Sequence, residues 1–133
     1  MSANELPPTY QPARNYVAPG LADDPSNLAP YFERIIATAR QAMGEVVTAK
    51  GRTSRERLGD ALSSLAIVRR DAEIAQRLTV EVALLGGHLS QREAARALNG
   101  TLDDPTATPI GTVGQASIGR WAHDPLTHDD IPD

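Results

Sequence analysis

The chain of 133 residues contains no cysteine. That excludes disulfides, thiolate nucleophiles and cysteine-bound zinc. Aromatic residues are scarce, at 4% against 41% apolar residues overall, so Ala, Leu, Val and Ile must supply the core. Such a core suits helix-on-helix packing better than a β-sandwich, which draws on aromatic and β-branched residues. Lys50 is the only lysine among the 13 basic residues. This Arg- and Ala-rich usage is that of high-GC coding sequence, and an actinobacterial or phage source is expected. Long apolar runs are also missing: none approaches the ~18 residues that argue for a membrane span. No basic leader followed by an apolar stretch marks a signal peptide. The expectation is a soluble protein that works in the cytoplasm without a membrane.

The net charge is −4, which on its face argues against a nucleic-acid partner. Its distribution is uneven. Residues 1–33 carry one Arg against four acids (−3), residues 34–99 carry eleven Lys or Arg against seven acids (+4), and residues 100–133 carry one Arg against six acids (−5). The basic charge therefore sits in the middle of the chain and the acidic charge at its ends.

Residues 1–25 hold Pro7, Pro8, Pro12, Pro19 and Pro25 with no helical or strand period, and read as an extended, disordered arm. From Ser26 to Lys50, Leu28, Phe32, Ile35, Ala39, Met43, Val46 and Val47 recur at steps of three and four, the stripe of an amphipathic helix. Asp24 or Ser26 is its candidate cap and Gly51 its stop. A second helix opens at Thr53 or Ser54, where Thr53 and Glu56 fit a capping box, and runs to Leu85 before Gly86-Gly87. At about 32 residues it is ~48 Å long. A helix of that length in so small a chain implies an antiparallel hairpin with the first helix, or a two-chain coiled coil or bundle. Residues 26–87 are thus the candidate dimerisation region. The charges along this second helix, among them Arg69, Arg70 and Arg77, read as a solvent face, and Arg52, Arg55 and Arg57 form the densest basic cluster.

Residues 88–123 carry the candidate functional element. Ser90 and Glu93 form another capping box at the head of Ser-Gln-Arg-Glu-Ala-Ala-Arg-Ala-Leu-Asn (90–99), and Asn99-Gly100 closes that short helix. A loop over 100–112 follows, then Val-Gly-Gln-Ala-Ser-Ile-Gly-Arg-Trp (113–121). Two short helices that cross steeply need a small contact residue, here Ala94 or Ala95. They also need inner apolar anchors, here Leu98, Val113, Ile118 and Trp121. Short polar side chains with one long cation on the outside then let the second helix enter a major groove ~12 Å wide.

These two runs resemble the helix-turn-helix of phage repressors and related bacterial DNA-binding regulators. The resemblance covers about 20 of the 133 residues. It implies that Gln115, Ala116, Ser117 and Arg120 face bases, and that Ser90, Gln91, Arg92 and Arg96 hold the phosphate backbone. The chain departs from the pattern in two places. Thirteen residues, Gly100 to Thr112, stand where the family has a tight turn, and Asp103 and Asp104 within them would be repelled by phosphates. Gly114 stands where the family prefers Ser or Thr, with Thr112 as an alternative cap.

No nucleophile–base pair and no phosphate-cradling Gly-rich loop is visible, and Gly111-Thr-Val-Gly114 is too short for a dinucleotide fingerprint. His123 and His128 lie near Asp124, Asp129 and Asp130 without ligand spacing, so residues 124–133 read as an acidic tail and no metal or cofactor is expected. The sequence therefore predicts an all-α, non-enzymatic homodimer that binds double-stranded DNA at the nucleoid as a transcriptional regulator. Its half-sites would lie about one DNA turn (~34 Å) apart. The alternative is a helical oligomeric scaffold that binds another protein and reads no DNA. In either case the N-terminal arm or acidic tail is a candidate contact for a protein partner.

Overall fold

The computed structural model describes residues 15–132. All its regular elements are helical: α1 (Ala18–Leu21), a 3-10 turn (Pro25–Leu28), α2 (Ala29–Val47), α3 (Ser54–Leu85), α4 (Gln91–Leu98), α5 (Gln115–His123) and a final 3-10 turn (His128–Asp130). The all-α expectation holds, with no strand among the described residues. No helix there is long and apolar enough to cross a membrane.

The described residues divide into two compact units, one of residues 28–76 and one of residues 15–27 with 77–132. The first is built from α2 and the first two-thirds of α3. α2 starts at Ala29 rather than Ser26. Asp24 serves a 3-10 turn instead of capping the helix: its Oδ1 accepts the Ser26 N–H (2.9 Å) and its carbonyl accepts the Asn27 N–H. The helix ends at Val47, and Gly51 takes the left-handed φ of 71° that the reversal of the chain requires. α3 then opens on the predicted capping box. The Thr53 N–H donates to Glu56 (3.1 Å), and the Glu56 N–H donates to Thr53 Oγ1 (3.1 Å).

Contacts between the two helices pair rising numbers on one with falling numbers on the other. Arg57 donates to the Val46 carbonyl, and Arg34 lies 3.9 Å from Asp71. Arg52 bonds Glu45 at 2.7 Å and also reaches Asp60. The predicted basic cluster is therefore partly spent on the turn, with Arg52 and Arg57 both engaged there. Small or polar side chains occupy the buried stripe of α3, with Ala61, Ser64, Asp71 and Ala75 at steps of three, seven and four; Ala42 is buried on α2. Large apolar residues lie one position on from these stripes and remain exposed: Phe32, Ile36, Met43 and Val46 on α2, and Leu58, Leu62 and Leu65 on α3.

The second unit holds the end of α3, α4, α5 and both flanking segments. Residues 15–25 are not an extended arm: Val17 and Ala18 are buried and α1 forms at once. The cause lies at the other end of the chain. The Val17 N–H donates to the Leu126 carbonyl (3.0 Å) and the His128 N–H to the Asn15 carbonyl (3.3 Å), so Tyr16 and Thr127 pair as an antiparallel bridge. The predicted acidic tail is held by the same contacts. Pro125 and Leu126 are buried, and the Leu126 N–H donates to Glu81 (3.1 Å), a carboxyl fully enclosed on α3. Burial raises that carboxyl to about 7, against the lowering effect of the Leu126 N–H. Residues 1–14 and 133, the rest of the predicted arm and tail, lie outside the described residues.

Candidate nucleic-acid interface

α4 owes its start to Ser90, which is extended (φ −78°, ψ 166°) and caps the helix in both directions. Its Oγ accepts the Glu93 N–H (3.1 Å) and its own N–H donates to Glu93 Oε1 (3.0 Å). The bond from the Ser90 backbone holds the Glu93 carboxyl below its ordinary value. The inner face of α4 presents Ala94 and Ala95 to Val80 and Ile118, with Leu84, Leu98, Val113 and Trp121 packed around them. The two alanines are the small residues that let α4 and α5 approach each other.

The 13-residue insert does not part the two helices, and the reason is Asn99. Its Oδ1 accepts the Val113 N–H (2.7 Å) and its Nδ2 donates to the Val113 carbonyl (2.8 Å). The side chain thus acts as a two-bond backbone partner across the base of the loop. Its own carbonyl takes the Ile110 N–H (2.8 Å), and Gly100 turns at φ 78° where the helix ends. The loop is braced from inside: Arg96 donates to the carbonyls of Thr101 and Leu102 (both 3.3 Å), and Asp104 accepts from the Thr106 N–H and hydroxyl. Asp103 and Asp104 are exposed.

α5 begins at Gly114 with no side-chain cap, so neither Thr112 nor any other residue fills that role. Ile118 and Ala122 point inward and are buried. At 100° per residue, Ala116, Arg120 and His123 share the opposite face, whereas Gln115, three residues before Ile118 and seven before Ala122, falls on the inward side. Ala116, Arg120 and His123 are exposed, Gln115 is exposed as the first residue of the helix, and Ser117 is half-buried, accepting from Arg120 Nη2 at 3.0 Å. Gln91 and Arg92, in the first turn of α4, are also exposed. A Cβ placed on Gly119 would lie 3.5 Å from Gln91 Oε1, so the start of α4 lies beside the middle of α5.

Of the residues the sequence singled out, Gln91 lies beside the middle of α5 and Ser117 is bonded to Arg120, while Arg92, Gln115, Ala116 and Arg120 are exposed. Two do not fit their predicted phosphate role. The Ser90 hydroxyl is engaged as a helix cap, and the Arg96 guanidinium is turned to the loop carbonyls. His123 was missed, although its spacing of seven from Ala116 and three from Arg120 marked it.

Arg77 is also engaged, donating to the Asp124 carbonyl (2.7 Å) with its guanidinium 5.9 Å from the Trp121 ring centre. Residues 15–27 and 77–132 hold four arginines against nine carboxylates. Among the described residues of this unit, Arg92 and Arg120 are therefore the two guanidiniums not tied to a backbone carbonyl. No known family model, curated protein or solved structure matches the chain.

Proposed function

We propose that the chain binds double-stranded DNA in a sequence-specific way through α4 and α5, as a non-enzymatic regulator that needs no cofactor. The observation that carries this reading is the two-bond clamp of Asn99 on Val113. It keeps α4 against α5 across a 13-residue loop and leaves one side of α5 apolar and enclosed while the other bears Ala116, Arg120 and His123, with Gln115 exposed at the start of the helix. The Arg120 guanidinium on the outer side and the Gln115 amide at the helix start can donate to base edges in a major groove. In an acidic unit with two such guanidiniums, recognition rests on base edges more than on bulk charge. Gln91 and Arg92, at the head of α4, are the candidates for phosphate contact.

The test is selection of bound duplexes from a random DNA pool at near-physiological salt, with Arg120→Ala alongside. The expected result is an enriched motif that Arg120→Ala fails to enrich, at a cost of about 1–3 kcal/mol in affinity and with unchanged thermal unfolding. The exposed apolar side of α2 and α3 favours a second reading, a helical scaffold without base reading. That reading gains if no motif is enriched and Arg120→Ala changes nothing.

A further inference from the structure

We infer that the apolar side of α2 and α3 is the docking surface for a second copy of this chain, packed face to face and antiparallel so that four helices enclose one core. The argument is independent of DNA binding and begins with helix geometry. On each helix the exposed apolar residues lie one position after the buried stripe, a rotation of about 100°. Antiparallel helices turn in opposite senses when viewed from one end, so equal steps on the two helices bring both rows to the same side. The side thus formed carries Phe32, Ile36, Met43 and Val46 from α2 and Leu58, Leu62 and Leu65 from α3, with the exposed Arg69, seven residues after Leu62 and 3.8 Å from Glu73, as the charged residue among them. The opposite side of α3 carries Glu56, Asp60 and Arg70, with Ile67 as its one exposed large apolar residue.

The seven residues are between 39 and 66% exposed. At about 180 Å² for a fully exposed side chain of this size, they offer on the order of 700 Å². A stable interface buries about 800 Å² from each partner, which exposed Val47 and Ala39 at the margin bring within reach. Residues 1–14 lie outside the described residues. Those residues hold Leu6 and Tyr10 among prolines and polar residues, too little apolar surface to match seven large side chains.

Two features select the antiparallel arrangement. Stacking α2 on α2 in opposite directions sets Phe32 of one copy over the Val46 end of the other. A hollow of about 190 Å³ lies there, lined by Val46, Ser54, Arg57 and Leu58. Stacking α3 on α3 in the same way brings Arg55, on the rim near the turn, beside Glu73, on the same rim near the far end. Parallel copies would instead place Glu73 beside Glu33 of the second copy, and like charges across an interface disfavour it.

The experiment is sedimentation of the full chain across a concentration series. Leu62→Glu and Ile67→Glu test the two sides with the same chemistry, and Leu65→Cys supplies a single thiol in a chain with none. The expected mass is twice the 14.2 kDa of one chain. Leu62→Glu should weaken self-association by on the order of 100-fold or more, and Ile67→Glu should leave it unchanged. Leu65 lies near the expected twofold, so mild oxidation of Leu65→Cys should yield a covalent dimer, whether or not Leu62→Glu folds. A monomeric wild type overturns the inference and leaves the face to residues 1–14 or another protein. So does a dimer indifferent to Leu62→Glu, equal loss with Ile67→Glu, or a Leu65→Cys dimer that does not cross-link.

Discussion

The two units use their apolar residues in opposite ways. In the unit of α4 and α5 the large side chains of the helices point inward, with Leu78, Val80, Val82, Ile118 and Leu126 all buried, and Ile110 in the loop is the exposed exception. In the unit of α2 and α3 the buried stripe is Ala, Ser and Asp, and the large side chains face solvent. The first has a core of its own. The second is held together by small residues on the shared face and by ion pairs of Arg52 and Arg34. A pair of helices has only one narrow shared face. Filling it with small residues brings the helices close, and the larger residues then have nowhere to go within one chain. Where a protein puts its bulk thus separates a finished core from half of one.

Substitutions of matched size break that comparison most directly. Ile118→Ala removes a fully enclosed side chain and should cost about 2–5 kcal/mol of folding stability at any protein concentration. Leu62→Ala removes a side chain 66% exposed in the single chain, so its direct cost there is small. Any loss it causes should grow as the protein is concentrated into the self-associating range. Denaturant midpoints at two protein concentrations separate the two. A concentration-dependent loss for Ile118→Ala, or a large and concentration-independent one for Leu62→Ala, would reverse the assignment of finished and unfinished cores.

The units also differ in how they bury a carboxyl. Asp71 has guanidinium partners in Arg70 (3.1 Å) and Arg34 (3.9 Å). Glu81 accepts the Leu126 N–H, and burial raises it to about 7 from an ordinary 4.5. A carboxyl raised on folding takes up a proton at higher pH in the folded chain than in the unfolded one. Stability from this group is therefore lowest above pH 7, rises as pH falls from about 7 to 4.5, and levels off below that. The shift corresponds to roughly 3 kcal/mol at most, by about 1.4 kcal/mol per pH unit. Glu81→Gln keeps an acceptor for Leu126 and should flatten this part of the profile, raising stability at pH 8 more than at pH 5. The lowered carboxyls Glu56, Glu93, Asp24 and Asp104 act in the opposite direction, and only below about 4.5, so the two windows are distinct. A wild-type profile that is flat between pH 5 and 8 would remove Glu81 as a buried acid.

The sequence made legible what depends on neighbours a few residues apart. Both capping boxes, the long α3, the break at Gly86-Gly87 and the inward anchors Ile118 and Trp121 follow from helical period and capping chemistry. What depended on distant partners did not show. Residues 15–25 have no period because their structure comes from pairing Tyr16 with Thr127, more than a hundred positions away. The acidic end looked unheld because its holder, Glu81, is one charged residue among many on α3, and periodicity does not tell which of them turns inward. Arg96 looked like a phosphate ligand because its composition suited one, whereas the loop carbonyls within reach are visible only in three dimensions. The apolar stripes of α2 and α3 were visible, but periodicity alone did not say that the small residues would take the shared face.

The smallest effect concerns the residue that makes the candidate site possible. Asn99 links Val113 by two hydrogen bonds, and each net bond is worth about 0.5–1.5 kcal/mol. Asn99→Ala should therefore cost about 1–2 kcal/mol, less than enclosed Ile118, because Asn99 is only half-buried and water can replace part of the loss. Its signature is local. The Val113 amide should exchange with solvent much faster, while the Ala94 amide, which donates to the Ser90 carbonyl inside α4, keeps its protection. Asn99→Asp sharpens the point. It keeps an oxygen for the Val113 N–H but replaces the donor to the Val113 carbonyl with a second acceptor, so it should protect the amide and still weaken the clamp. If DNA is read by α5, both variants should lose affinity while Gln115 and Arg120 are intact, because the loop would no longer fix α5 against α4. Unchanged exchange at Val113 in Asn99→Ala would mean that packing of Ile118 and Trp121 alone positions α5, and that the loop is closed without its clamp.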